Sequence, residues 1–488
     1  MNKHLMSVPI LASLGIILSL VQSEARAADR PPNIVFILAD DLGASDLACY
    51  GADLHETPHL DQLAREGVRF TQAYAMSVCT PTRSSIVTGK HAARLHMTTW
   101  RESAISSGDR TKPLLPAPSI GDLPHSELTM AEVLKQAGYL TMHVGKWHLG
   151  YAGHSPETMG FDINIGGTHW GAPTTYFHPF SGQSKGGGDF RYVPGLGLGK
   201  PGEYLTDRLT DETIKLIDQA GERPFFLNLW HHSPHTPIEG KPEQVEHYRR
   251  KIKPGLHHQN AEYAAMVQSL DESVGRVMAH LKKRGLAGRT LVIFASDNGG
   301  YTNPFRGKIP ADNWPLRSGK GSLYEGGIRA PLIVRMPGIT PKGGVCEQMI
   351  TCADFFPTIL ELCGDTVAQY ALGAGKIDGL SFASLLKNPK ATLPRNELFF
   401  HYPHYYFNTT PVSAVRAGDW KLLEYFEDDH VELYNLRDDP GESRDLAREQ
   451  PGRATQLRSR LHDWWKESAA QLPTKNPDYS PDRSDTTR

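Results

Sequence analysis

The sequence predicts an α/β fold: a large, mainly parallel sheet sandwiched by helices, with a smaller C-terminal antiparallel sheet plus one helix. Three observations predict it. β-branched and aromatic runs alternate with amphipathic helical stretches through most of the chain. The first run, NIVFILA at 33–39, is apolar without interruption, which suits a strand covered on both faces. From about residue 395 the runs shorten and turn residues such as Ala417-Gly418-Asp419 separate them.

In chain order, Lys3 and His4, an apolar run over 7–21 and Ala25-Arg26-Ala27 have the layout of an export signal cut after Ala27. The run is short for a membrane span and contains Pro9. The expectation is an exported protein, periplasmic or secreted, with no membrane span in its mature chain. After NIVFILA come the strand candidates YLTMHV (139–144), PFFLNLW (224–230), TLVIFAS (290–296) and PLIVRM (331–336). Between them lie the helical candidates HLDQLAREG, TMAEVLKQAG, LTDETIKLIDQA and NAEYAAMVQSLDESVGRVMAHLKKRG. In the last, Met266, Leu270, Val274, Val277 and Leu281 form one apolar stripe. These elements predict a catalytic α/β unit over 28–375. ELFFHY, SAVRAGD, WKLLEYF, VELYNL and the helix RATQLRSRLHDWWKESAAQ predict an α+β unit over 376–472. The polar end, 473–488, reads as a disordered tail. Three long stretches without periodicity, 101–127, 166–203 and 301–319, read as rims of a site.

A formal net charge of −2 speaks against nucleic acid or a membrane surface as partner. Five scattered cysteines without a C-x-x-C spacing exclude a disulfide framework and speak against a zinc or dithiol site. An odd number leaves at least one unpaired, and whether Cys49, Cys346, Cys352 or Cys363 pair stays open.

Open α/β sheets bind ligands beyond the carboxyl ends of their strands. The first strand ends in Asp40-Asp41, and the strand at 139–144 runs into Lys146 and His148. The one at 224–230 leads into HHSPHTP, and the one at 290–296 into Asp297-Asn298. Any one of these could be turn chemistry or a solvated side chain. Four strands delivering such residues to one edge indicate a site. Asp40, Asp41, Asp297 and Asn298 offer oxygen only, which suits Ca²⁺ or Mg²⁺ rather than zinc. A cation with lysines and histidines beside it fits a tetrahedral oxyanion.

Cys79, in SVCTPTRSSIVTGK, stands near the start of a helix that Pro81 helps to open, where a thiol is expected to be acidified. A disulfide, a core filler and a thiolate nucleophile are all open on this ground. A thiolate that attacked sulfur would be left S-sulfated with no easy release.

The motifs then resemble those of the type I sulfatases of the alkaline-phosphatase superfamily, whose C-x-P-x-R cysteine is oxidised to Cα-formylglycine. C-T-P-T-R at 79–83 carries the resemblance, with ADDLG (39–43), GKWHLG (145–150), HTP (235–237), SDNGG (296–300) and GKGSLYEGGIRAP (319–331). GDWKLLEYF and LYNLRDDPGES extend it to the C-terminal part. One departure is Lys90, where the extended signature carries arginine. The resemblance implies an alkaline-phosphatase-type fold and a sulfuric ester hydrolase with a gem-diol nucleophile derived from Cys79. It implies a cation, usually Ca²⁺, held by Asp40, Asp41, Asp297, Asn298 and the modified Cys79. Arg83 and Lys146 would hold the formylglycine, His148 would take a proton, and His235 and Lys320 would bind sulfate and the leaving oxygen, with His235 the general acid. A formylglycine-generating maturation enzyme is the implied partner.

The rival readings are a phosphate or phosphonate ester hydrolase of the same superfamily, a sulfatase for aryl or other small esters, and an inactive sulfate-binding protein. No nucleophile or ligand is missing for activity. His169, Trp170 and Tyr176 in one loop, and His401 and His404 with Tyr405 and Tyr406 near the C-terminus, suit the faces and hydroxyls of a sugar. They suit an ordinary aromatic core equally. The expected substrate is a sulfated carbohydrate, such as a galactose or N-acetylgalactosamine sulfate of a polysaccharide.

Overall fold

The computed structural model describes residues 31–106, 110–184 and 188–480, so the export signal expected over 1–27 lies outside the described residues. The main sheet has eight strands: β1 (Asn33–Ala39), β2 (Val68–Phe70), β3 (Leu140–Gly145), β4 (Ile163–Ile165), β5 (Phe225–Trp230), β6 (Thr290–Ser296), β7 (Leu332–Arg335) and β8 (Gly344–Cys346). Their order is β8-β2-β7-β6-β1-β5-β3-β4. β6, β1, β5, β3 and β4 run parallel. β7 is antiparallel to both β6 and β2, and β8 is parallel to β2.

The uninterrupted apolar sequence of β1 follows from its place in the middle. Ile34, Phe36 and Leu38 face one layer, with Ile86 of helix α2 (Cys79–Thr88), Val133 of α3 (Met130–Gln136) and Phe356 of α6 (Phe355–Cys363). Val35, Ile37 and Ala39 face the other, with Leu63 of α1 (Pro58–Glu66), Leu209 of α4 (Leu205–Gln219) and Leu270 of α5 (Ala261–Lys283). Each fully buried aliphatic or aromatic side chain contributes about 1.5–3 kcal/mol, so both faces must be apolar. The stripe of α5 is buried as its spacing predicts, and Asn260 caps the helix by accepting the N–H of Tyr263 at 3.1 Å. Thr129 and Glu132 form a capping box at the start of α3.

The C-terminal strands β9 (Glu397–Tyr402), β10 (Val412–Ala417), β11 (Trp420–Tyr425) and β12 (Val431–Asn435) form an antiparallel meander. Its period-two pattern serves two packings. Val415, Leu422 and Leu433 meet Leu457, Leu461 and Trp464 of α7 (Pro451–Ser468). Phe400, Ala414 and Leu423 meet Tyr74, Val78 and Leu323. That second face therefore abuts the residues next to Cys79 and Lys320.

The end of the chain corrects one expectation. As far as residue 480 it is structured: Thr474–Lys475 pairs antiparallel with Leu114–Leu115, and the Asn476 amide donates to the carbonyls of Arg110 and Lys112, both at 2.8 Å. Composition cannot register a two-residue strand pair, because main-chain bonds supply the attachment. All five cysteines are free.

Candidate active site

The parallel strands β6, β1, β5 and β3 are consecutive in the sheet, so their carboxyl ends share one edge. Asp40-Asp41, the 231–235 histidine segment, Lys146 and Asp297 meet there. Asp41 and His148 both have left-handed backbones, with φ of 67° and 60°. For residues with a Cβ this is strained, a feature that clusters at functional sites.

α2 projects its first residue, Cys79, into this edge. The helix is polar in sequence yet buried along its whole length. Its hydroxyls make that possible by bonding to main chain: Thr80 to the carbonyl of His148 at 2.9 Å, Ser84 to that of Pro81 at 2.9 Å, and Thr88 to that of Ser84 at 2.8 Å. Arg83, fully buried, donates to Asp297 through Nε (2.9 Å) and to the Lys146 carbonyl through Nη1 (2.8 Å). Its Nη2 lies 2.8 Å from Asp297 and 4.0 Å from Asp40.

Lys146 Nζ donates to Asp40 Oδ2 at 2.7 Å, and Lys320 Nζ stands 2.7 Å from Asp41 Oδ1 and 3.6 Å from Cys79 Sγ. The Asn298 amide donates to Asp41 Oδ1 at 2.8 Å, and Asp297 Oδ1 accepts the Asp41 N–H at 3.2 Å. Burial, with the Asp297 carboxylate beside it, pushes Asp40 up to about 8. Burial acts the same way on Asp41, but Lys320 and His235 outweigh it and hold that carboxyl at about 2.

Two buried acceptors, Asp40 Oδ1 and Asn298 Oδ1, have no partner. Ligand atoms of Asp40, Asp41, Cys79 and His235 lie within 4.8 Å of one another. Unpartnered buried oxygens beside three carboxylates fit a hard divalent cation. Asp297 borders this cluster with both oxygens engaged.

Cys79 departs from the expectation of an acidified thiol. Burial raises it to about 11, against the pull of Lys146 and Lys320. Complete desolvation outweighs the helix end and the neighbouring cations, so the thiol stays protonated at neutral pH.

His148 Nε2 meets Glu102 Oε2 at 2.9 Å, and its Nδ1 is buried without a partner. Burial lowers the ring to about 4 although Glu102 raises it. Being neutral at neutral pH, it carries its proton on Nε2 and leaves Nδ1 free to accept one. Gly171 lies against this ring, where a Cβ would come within 2.5 Å of His148 Cε1. His235 Nδ1 donates to the Thr236 carbonyl at 2.8 Å, leaving Nε2 3.6 Å from Asp41 Oδ2. Burial and Lys320 lower this ring to about 3. Of the other two histidines in this segment, His231 is tied to Ser273 at 3.0 Å, while both ring nitrogens of His232 are buried without partners.

A cavity of about 250 Å³ opens onto Cys79, with His148, His235 and Lys320 in its wall. Trp100, Glu102, Arg191 and Tyr406 also line it. Trp100, Glu102 and Arg191 escaped sequence reasoning. They come from the aperiodic stretches 101–127 and 166–203 or their edge, which were read only as rims.

Three expected sugar contacts are corrected. Tyr176 is fully buried, and its hydroxyl donates to the carbonyls of His232 (2.6 Å) and His235 (2.9 Å), so it braces the histidine segment. His401 is buried between the Ser413 hydroxyl (2.6 Å) and the Gln471 carbonyl (2.9 Å). His404 is buried against the Thr98 hydroxyl at 2.8 Å. These rings are held by protein partners and offer no face to a ligand. His169 and Trp170 are half-buried, meeting Tyr151 and Tyr192 edge to face, beside the Gly171 and Ala172 that line the cavity.

The family pattern described as Sulfatase matches residues 32–365. The chain belongs to the sulfatase family. A second pattern, N-sulphoglucosamine sulphohydrolase, C-terminal, matches residues 318–471 of this sulfatase. A sulfatase of Formosa agariphila is 31% identical, over 95% of this chain and 94% of that protein. The N-acetylgalactosamine-6-sulfatase of Sus scrofa is 31% identical, over 86% of this chain and 74% of that protein. The crystal structure of Ps i-CgsB in complex with k-i-k-neocarrahexaose superposes with a TM-score of 0.72 at 26% identity, covering 92% of this chain and 95% of that one. This sulfatase is accordingly a sulfuric ester hydrolase with an alkaline-phosphatase-type sheet. Among the described residues no helix is long and apolar enough to cross a membrane.

Proposed function

We propose that this sulfatase removes sulfate from a saccharide, using a formylglycine made from Cys79 and a divalent cation, Ca²⁺ in preference to Mg²⁺. One observation carries the reading. Cys79 lines a cavity together with Lys320, His148 and His235, where burial disfavours the thiolate that an unmodified cysteine would need for attack. Saccharide-directed relatives and an oligosaccharide-bound neighbour support the substrate class.

Asp40, Asp41 and Asn298 would hold the cation, with Asp297 alongside. A cation there supplies polarisation of a sulfate oxygen. A hydrated aldehyde at position 79 would supply two hydroxyls, one for displacing the alcohol from sulfur and one whose deprotonation would expel sulfate and restore the aldehyde. Lys320 and Lys146 offset the charge of the sulfate group, while Arg83 fixes Asp297 and the Lys146 main chain. His148 accepts a proton at Nδ1, and the Glu102 carboxylate at Nε2 stabilises the charged ring. His235 presents Nε2 to the leaving oxygen; a bound sulfate raises the affinity of that nitrogen for the proton it donates. Residues 28–375 would form the catalytic unit and 376–472 the C-terminal unit. The chain would be exported and matured by a formylglycine-generating enzyme.

Mass spectrometry of the peptide containing Cys79, with desulfation of a broad panel of sulfated saccharides, tests the reading. We expect formylglycine at position 79, no turnover in Cys79→Ala, and release of sulfate from galactose- or N-acetylgalactosamine-type esters. An unmodified thiol in active protein overturns the nucleophile. Turnover confined to aryl, steryl or phosphate esters overturns the substrate class.

A further inference from the structure

A second, larger hollow of about 670 Å³ lies between the 111–113 segment, the turn at 405–410 and the edge of β11 and β12. Its size is within the range of small-ligand sites. It adjoins the cavity over Cys79, and Tyr406 lines both. On the catalytic side Tyr406 meets Trp100 edge to face at 5.5 Å; on the other it meets Phe407 at 5.2 Å. Gly321, with φ of 94°, makes that position possible, since a Cβ there would come within 2.1 Å of the Tyr406 ring.

The two spaces differ in charge. The catalytic cavity carries Lys320 and Arg191 against the single carboxylate of Glu102. The outer groove carries Glu427, Asp428 and Glu432 against Lys112 and His430. Two of the acids are already engaged, Glu432 with the hydroxyls of Tyr324 and Tyr434, and Asp428 with His430. Glu427 is exposed and accepts the Tyr405 hydroxyl at 2.6 Å through Oε1. Phe407 stands 80% exposed, with its ring at the mouth of the groove. Asn408 Oδ1 is shielded from solvent and has no partner, while its amide donates to the Lys320 carbonyl at 3.2 Å.

We propose that this groove is a second binding site, for uncharged sugar units that flank the sulfated one on its Tyr406 side. It rests on the saccharide reading above. Exposed aromatic faces provide stacking for pyranose rings, and carboxylate and amide oxygens accept their hydroxyls. The same carboxylates repel a neighbouring sulfate or uronate, so the groove discriminates by charge as well as by contact. The sulfated unit sits in the basic cavity and its uncharged neighbours cross Tyr406 into the acidic groove.

The test is direct binding, followed calorimetrically, of uncharged galactotetraose and mannotetraose and of tetragalacturonate to the intact protein. At least one uncharged tetrasaccharide binds the wild type, tetragalacturonate binds at least about tenfold more weakly, and Phe407→Ala and Glu427→Gln each weaken the uncharged ligand about tenfold. Cys79→Ala leaves this binding intact. Unchanged thermal unfolding of the variants shows that they are folded. Absence of binding by both uncharged ligands, equal binding by tetragalacturonate, or indifference to both groove substitutions overturns the proposal. Failure of the saccharide reading appears separately, as groove binding without desulfation of any saccharide ester.

Discussion

Lys421→Met is expected to destabilise the junction between the C-terminal sheet and the catalytic site severely. Lys421 is fully buried on β11, with Nζ 3.0 Å from Glu325 Oε1 and 2.8 Å from Glu442 Oε1. Glu325 also accepts the Tyr74 hydroxyl at 2.7 Å, and Glu442 accepts the Glu325 N–H at 2.7 Å. Without the ammonium two buried carboxylates face each other, and Arg329 is 3.8 Å from Glu325. Leaving a buried ion pair without its partner costs about 3–5 kcal/mol. Burial raises Glu442 to about 7 from its ordinary 4.5, Lys421 pulling it down and Glu325 pushing it up. A raised folded-state value means that this carboxyl contributes stability below 4.5 and loses it as pH rises through 7. Removing Lys421 removes the downward pull, so the loss is larger near pH 8 than near pH 5.5. Urea unfolding at the two pH values measures it. Adding Glu442→Gln removes one unpaired charge and recovers part of the loss at the higher pH. A single-variant loss below about 1 kcal/mol at pH 8, the level of an exposed pair, would refute the reasoning, as would a double variant weaker than the single.

Glu102→Gln keeps the shape at His148 Nε2 but removes the charge that supports the ring, so kcat falls about tenfold or more with KM little altered; steady-state kinetics on an aryl sulfate would expose an effect confined to KM. CaCl₂ is expected to raise the thermal midpoint relative to EGTA, and by more as pH rises from about 6 to about 8.5. The sign follows from Asp40, whose value of about 8 without a cation makes the proton a competitor that weakens as pH rises, and a calcium effect that shrinks over this range would contradict it.

The covered sheet was legible because burial on both faces leaves an unbroken apolar run, and each strand forecast from such a run is present. Charged residues at strand ends were legible for a related reason: parallel strands share a polarity, so their carboxyl ends must converge. Asp40, Asp41, Lys146 and Asp297 therefore meet as their positions in the sequence require. Local pattern could not decide between a ring that lines a pocket and one that fills a core. Tyr176, His401 and His404 look like sugar contacts in one dimension, yet main-chain and hydroxyl partners far along the chain hold them inside. Nor could it find Glu102, on a one-turn helix over Arg101–Ala104, or Arg191, on a short strand over Phe190–Tyr192, which no periodicity marks.

The charge state of Cys79 belongs to the tertiary structure as well. A helix start argues for an acidic thiol, and only complete burial shows the opposite. The sequence by itself determined the sheet, its polarity and the chemical types at its edge, because these follow from periodicity and chain direction. Tertiary structure alone decided which side chains are desolvated, which face the cavity, and that an acidic groove lies beside a basic site at Tyr406, because these depend on atoms brought together from distant segments.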